Sequence, residues 1–129
     1  MLKQANSTNP IQTKGLNKEF LIIMSTQLVK ICSLDKVKPG KMQRFSVNHN
    51  AILVANVDGT IFAVDDMCTH EDASLYRGAL KGDCVECPLH GSHFDLKTGQ
   101  PKGEPATIPI KTYPVTIKDN SVFIELQAI

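Results

Sequence analysis

From Gln27 onward, outside one central segment, the order of apolar and polar positions along this chain reads as short strands separated by turns. Ile52 to Val57 and Thr60 to Val64 flank Asp58-Gly59, a pair that supplies the positive φ angles of a two-residue hairpin turn. Near the C-terminus Tyr113, Val115 and Ile117 alternate with polar residues, Asp119-Asn120 turns the chain, and Val122, Ile124 and Leu126 alternate again. That predicts a second hairpin. Gln27 to Ile31 and Met42 to Val47 read as shorter mixed strands, separated by the turn-rich Ser33 to Gly40. No segment keeps apolar residues at three- and four-residue spacing over about ten positions, so helix is limited to one or two short turns. The pattern predicts an all-β fold, an antiparallel sandwich or barrel.

Two segments break the strand pattern. Residues 1–23 are rich in Asn, Gln, Thr and Lys without strand or helix period, and read as a flexible tail ahead of a domain spanning 24–129. Residues 66–109, between the two hairpins, are dense in glycine, proline and turn pairs and hold Cys68, Cys84 and Cys87 with His70, His90 and His93. They read as a small site-bearing insertion. A length of 129 residues with 42% hydrophobic residues and a net charge of +1 suits one globular domain. The charge is too small to name nucleic acid or a membrane surface as the partner. Phe20 to Met24 is the one early apolar run, too short for a membrane span or a signal-peptide core. Four cysteines in a chain read as leaderless point to ligands or buried thiols in a reducing cytoplasm rather than to disulfides.

Two pairs stand out in the insertion: Cys68-Thr69-His70 and Cys87-Pro88-Leu89-His90, with sixteen residues between them. In extended chain, residues two apart point the same way, roughly 6.6 Å apart, which suits two neighbouring metal atoms better than one ion. Two loops, each giving one sulfur and one nitrogen, can grip a two-metal unit from opposite sides. Two ferric ions, two sulfides and two thiolates sum to zero with neutral imidazoles, against minus two for four thiolates. Such a neutral cluster accepts an electron more readily, at about −150 to +300 mV against about −400 mV for the all-cysteine kind.

The CxH and CxxH pairs at this separation closely resemble those of Rieske iron-sulfur proteins. The likeness runs from about Gln27 to Leu126, and in size the chain is similar to the Rieske-type ferredoxins of aromatic-ring dioxygenase systems. The resemblance implies a β sandwich with an inserted cluster-binding subdomain and one 2Fe-2S cluster, Cys68 and Cys87 holding the inner iron and His70 and His90 the outer one. It implies a one-electron carrier, not an enzyme, between a flavin-dependent ferredoxin reductase and a terminal Rieske oxygenase. Pro88 biases Cys87 toward extended backbone. Pro105, in Gly103-Glu104-Pro105-Ala106, stands where the family has a third loop against the cluster. Membrane-anchored respiratory relatives carry a disulfide at the positions of Ala73 and Leu89, so this chain cannot form it. They also carry a serine and a tyrosine hydroxyl near the cluster; here Ser92 keeps the first and Phe94 lacks the second. That implies a low to middling potential.

Other readings stay open. The small subunit of an assimilatory nitrite reductase would keep the cluster in another system. A zinc-stabilised interaction module could use the same four ligands, or Cys84, Cys87, His90 and His93 at every third position. Taken singly, Cys84 reads as a half-buried strand residue, Cys32 as core packing, His49 as a solvated turn residue, and His93 as a surface or rim residue. Glu71 and Asp72 read as solvated loop charges, or as groups that repel an added electron or meet a partner.

Overall fold

Ten strands and two single 3-10 turns, Leu34–Lys36 and Leu75–Arg77, account for the regular structure among residues 26–127, which a computed structural model of the chain describes. The expected tail, 1–23, lies outside the described residues. In chain order the strands are β1 (Thr26–Ser33), β2 (Met42–Val47), β3 (Asn50–Val57), β4 (Thr60–Asp65), β5 (Ala79–Lys81), β6 (Cys84–Glu86), β7 (His93–Asp95), β8 (Thr112–Tyr113), β9 (Val115–Lys118) and β10 (Ser121–Gln127). They form three sheets, ordered β2-β3-β4-β8, β1-β10-β9 and β5-β6-β7.

Both predicted hairpins form. Asp58 and Gly59 take φ of 52° and 95° between β3 and β4, and Asp119 and Asn120 take 52° and 59° between β9 and β10. These are the left-handed conformations a tight two-residue turn demands. Asn48 and His49, at φ 49° and 70°, make a third such turn between β2 and β3, with His49 exposed. One expectation is corrected. Tyr113 does not continue into the strand of Val115: it pairs with Ala63 in β8, and β9 begins only after Pro114. Proline has no N–H for the ladder, so the run divides there between two sheets.

The sheet β2-β3-β4-β8 is covered on both faces, which explains why β3 is a continuous apolar run rather than an alternating one. Ile52, Leu53, Val54 and Ala55 are all 0% exposed. Period two sends Ile52, Val54, Ile61 and Ala63 to one face, where they pack with Val122 and Ile124 of β10. It sends Leu53, Ala55 and Val64 to the other face, where they meet Leu75, Val85 and Phe94 of the segment between β4 and β8. Buried Asn56 is satisfied: its Nδ2 donates to the Val37 carbonyl at 2.8 Å and its Oδ1 accepts the Gly59 N–H at 2.7 Å. The chain therefore leaves the central sheet at Asp65, builds a second layer of loops around β5-β6-β7, and returns at Thr112.

Candidate metal centre

The first loop is closed at its neck. Asp66 continues the β3–β4 pairing by donating its N–H to Ala51 at 3.0 Å, and its carbonyl accepts the Leu75 N–H at 2.7 Å. Above that neck Met67 bridges Ser74, and the Cys68 N–H reaches the Ala73 carbonyl at 2.9 Å. This turns Cys68 inward, 3% exposed, and leaves His70 at the surface. Thr69 Oγ1 donates to the Ile108 carbonyl at 2.6 Å, tying this loop to the stretch that precedes β8.

The second loop follows β6. The Cys87 N–H donates to the Ser92 carbonyl at 2.7 Å, closing a turn whose corner residues His90 and Gly91 sit at φ 64° and 74°. The turn buries Cys87, 2% exposed, lifts His90 to the surface, and aims the Leu89 N–H at Cys87 Sγ, 3.4 Å away. Pro88 fits this role: it holds the residue before it extended and gives up an N–H the turn does not need. Ser92 is fully buried and its Oγ accepts the Ala106 N–H at 3.2 Å. That bond pins the Gly103–Ala106 stretch, with its cis Glu104–Pro105 peptide, to the second loop. Phe94, also fully buried, packs in one cluster with Cys68 and Cys87.

The hairpin beneath these loops depends on close approach. A Cβ on Gly78 would lie 1.7 Å from the Glu86 carbonyl oxygen, so only glycine lets β5 register on β6 with Ala79 opposite Glu86. Gly99 plays the same part against the Ile110 carbonyl, 2.2 Å from its would-be Cβ, at φ 81°.

The two loops bring like donors together. The buried Cys68 and Cys87 thiols interact in the interior; outward of them, the His70 and His90 rings lie 6.0 Å apart at 76°. Burial pushes the Cys87 thiol up; the Leu89 N–H pulls it back, and the Cys68 thiol pushes it up again. A metal cluster held here would supply the positive charge that sulfur ligands need in a buried site. One Oε of Glu71 lies 3.3 Å from His70 Nε2 and 2.9 Å from His90 Nδ1. Among the described residues, His70, Glu71 and His90 are the group of His, Cys, Asp or Glu side chains whose ligand atoms all fall within 4.8 Å of one another. The every-third-residue set does not assemble. Cys84 stays in β6 opposite Asp95 as a free, half-buried thiol, and His93 turns to Glu86, 3.5 Å away. Cys32 is likewise free, packed against the core.

A buried thiol pair beneath an exposed imidazole pair is a fit for a two-metal sulfur cluster and a poor one for a single tetrahedral ion. The family comparison agrees: the model of the Rieske 2Fe-2S domain matches residues 27–114. The chain belongs to the Rieske family. As a member it takes one Rieske-type 2Fe-2S cluster. Relatives it resembles are named as ferredoxin components of dioxygenase systems, that is, as carriers. It is 42% identical over 100 residues, 78% of this chain and 94% of the relative, to the ferredoxin component of biphenyl 2,3-dioxygenase from Rhodococcus jostii. Among solved structures it matches Sphingomonas yanoikuyae B1 ferredoxin at 42% identity and a TM-score of 0.74, covering 78% of this chain and 99% of the other. It also matches a structure titled as the complex of reduced oxygenase and oxidized ferredoxin in carbazole 1,9a-dioxygenase, at 34% identity and TM-score 0.73, over 79% and 95% of the two chains. A putative nitrite reductase small subunit shares the fold at 31% identity, so the dioxygenase ferredoxins are favoured. The chain is thus a Rieske-type ferredoxin, an electron-transfer component and not itself an oxygenase.

Two features of the site escape a reading of the sequence. Asp66 is a fully buried carboxylate, signalled only by a charged residue where period two continues the inward face of β4. Glu71 is not merely solvated; it stands between the two histidines, which its place one residue after His70 does not reveal.

Proposed function

We propose that Cys68, His70, Cys87 and His90 are the four cluster ligands, the cysteines on the inner iron and the histidines on the outer. The observation that carries this is the paired arrangement: two interacting buried cysteines, 3% and 2% exposed, and two surface imidazoles 6.0 Å apart. When bound, such a cluster takes up and returns one electron. Cys68 and Cys87 anchor the cluster's buried side, and the Leu89 N–H stabilises charge on the Cys87 sulfur. Ser92 uses its oxygen to accept Ala106, so its own proton is free to donate. Phe94, fully buried in one cluster with both cysteines, helps keep water from them, and Pro105 lies in the stretch that Ser92 pins to the second loop. His70 and His90 form the exposed edge, where exposed Met67, Leu89 and Ile108 add apolar surface for a partner.

Its partners are a flavin-dependent ferredoxin reductase as donor and a terminal Rieske oxygenase as acceptor, the latter supported by the ferredoxin–oxygenase complex named for a relative. In this reading the carrier is cytoplasmic, with a domain span of 24–129 and a cluster-binding region of 66–109; no described helix is long and apolar enough to cross a membrane.

The test is metal and sulfide analysis with EPR on the purified protein. Red-brown protein with two iron and two sulfide per chain and a Rieske-type signal on reduction supports the assignment; a colourless protein containing zinc refutes it. His70→Ala and His90→Ala each remove that signal if they are ligands, whereas His93→Ala leaves it.

A further inference from the structure

The electron-carrier reading leaves one buried charge unused. Asp66 is 1% exposed, lies two residues before Cys68, and has no place among the proposed ligands. Its Oδ2 accepts Arg44 Nε at 2.9 Å and the Ser74 hydroxyl, and its Oδ1 accepts the Tyr76 N–H at 2.9 Å. Arg44 reaches it from β2 and Ser74 from the far end of the first loop; Tyr76 belongs to the 3-10 turn beyond. With its backbone bonds to Ala51 and Leu75, this one residue joins β2, β3, both ends of the loop and the turn that leads to β5.

We propose that Asp66 is a positioning residue for the cluster, a clamp that holds Cys68 and His70 at the distance from Cys87 and His90 that a two-iron unit needs; the inference rests on the ligand assignment above. The physical argument is one of leverage. Met67 to Ala73 makes few backbone bonds of its own, the Cys68–Ala73 and Ala73–Glu71 pairs, and one side-chain tie outward, Thr69 to the Ile108 carbonyl, so the height and tilt of the loop depend chiefly on its neck. A carboxylate accepting three donors from three directions fixes position in a way that a single bond or an apolar contact does not. The Asp66 side chain itself is only 2% exposed, which strengthens those bonds even though the Arg44 side chain is half exposed. Outer partners that orient metal ligands typically matter about 10- to 100-fold for retention of the metal.

The test uses the full, cluster-loaded chain with Asp66→Asn, Asp66→Glu and Arg44→Gln. Three quantities are read: the rate at which visible colour is lost to an iron chelator well below the unfolding temperature, the reduced EPR spectrum, and the unfolding midpoint. Clamping predicts that Asp66→Asn and Asp66→Glu both lose cluster about 10- to 100-fold faster and shift or broaden the signal. Arg44→Gln, which removes one donor of three, moves both readouts the same way by less. An Asp66→Glu protein indistinguishable from the wild type would mean that charge alone matters and overturns the clamp. A lowered unfolding midpoint with unchanged signal and retention makes the role purely structural and overturns it too. If neither Asp66 variant folds, Arg44→Gln and Ser74→Ala carry the same test, with unchanged retention and signal counting against the clamp. A wild-type chain that shows no Rieske signal removes the ligand assignment instead, a failure seen before any variant is made.

Discussion

Replacing Ser92 with alanine separates two duties of a single hydroxyl. The side chain is 0% exposed and its oxygen is 3.2 Å from the Ala106 nitrogen, so the substitution leaves a buried N–H without its acceptor. That costs about 1 to 3 kcal/mol of folding stability. The hydroxyl proton, not used in that bond, is available to the sulfur-rich interior beside Cys87. A hydrogen bond to a charged acceptor is worth about 1.5 to 3 kcal/mol, and about 1.4 kcal/mol corresponds to 59 mV for one electron. Removing it therefore lowers the reduction potential by at most about 65 to 130 mV. The observed shift is smaller to the extent that the bond already exists in the oxidised state, since only the difference between states moves a potential. Voltammetry on wild type and Ser92→Ala measures the shift; denaturant unfolding of the same samples measures the stability loss. A drop in stability with the potential unmoved would refute the donor role and leave Ser92 as an acceptor for Ala106 alone.

Phe94→Tyr restores the second hydroxyl and raises the potential by up to the same amount; because Phe94 is fully buried, the variant also loses stability, and voltammetry showing no rise sinks the assignment of this position. Gly78→Ala drives a Cβ to 1.7 Å from the Glu86 oxygen, forcing β5 from β6; a loss of about 1 to 3 kcal/mol or more is expected in thermal unfolding, with weaker colour retention because Glu86 precedes Cys87. Tyr113 is held protonated in the fold, first by burial and then by Asp65, whose carboxylate accepts its hydroxyl. Its folded pKa is raised, so its contribution to stability is complete below the ordinary tyrosine value near about 10 and is lost as pH climbs past it. Denaturant midpoints at about pH 9 and about pH 11 should fall less steeply for Tyr113→Phe than for wild type; equal falls contradict the shift.

Local chemistry alone settled much of this protein. Asp58-Gly59 and Asp119-Asn120 can adopt positive φ where most residues cannot, so their hairpins are legible without neighbours, and period two assigns each flanking residue to a face. The two cysteine–histidine boxes are legible for a similar reason: a thiol and an imidazole at CxH and CxxH spacing are rare enough to suggest a chemistry before any fold is known. Tertiary structure decided the rest, because burial and long-range contact have no local signature. Pro114 was visible, but that it hands Tyr113 to β4 rather than to β10 depends on which sheet lies beside it. Gly78 looks like any turn glycine until Glu86, eight positions on, comes to rest against it. Asp66 carries no local sign of its partners; only the approach of Arg44 from β2, twenty-two residues earlier, and of Ser74 from across the loop makes it the buried centre at the neck of the Cys68–His70 loop.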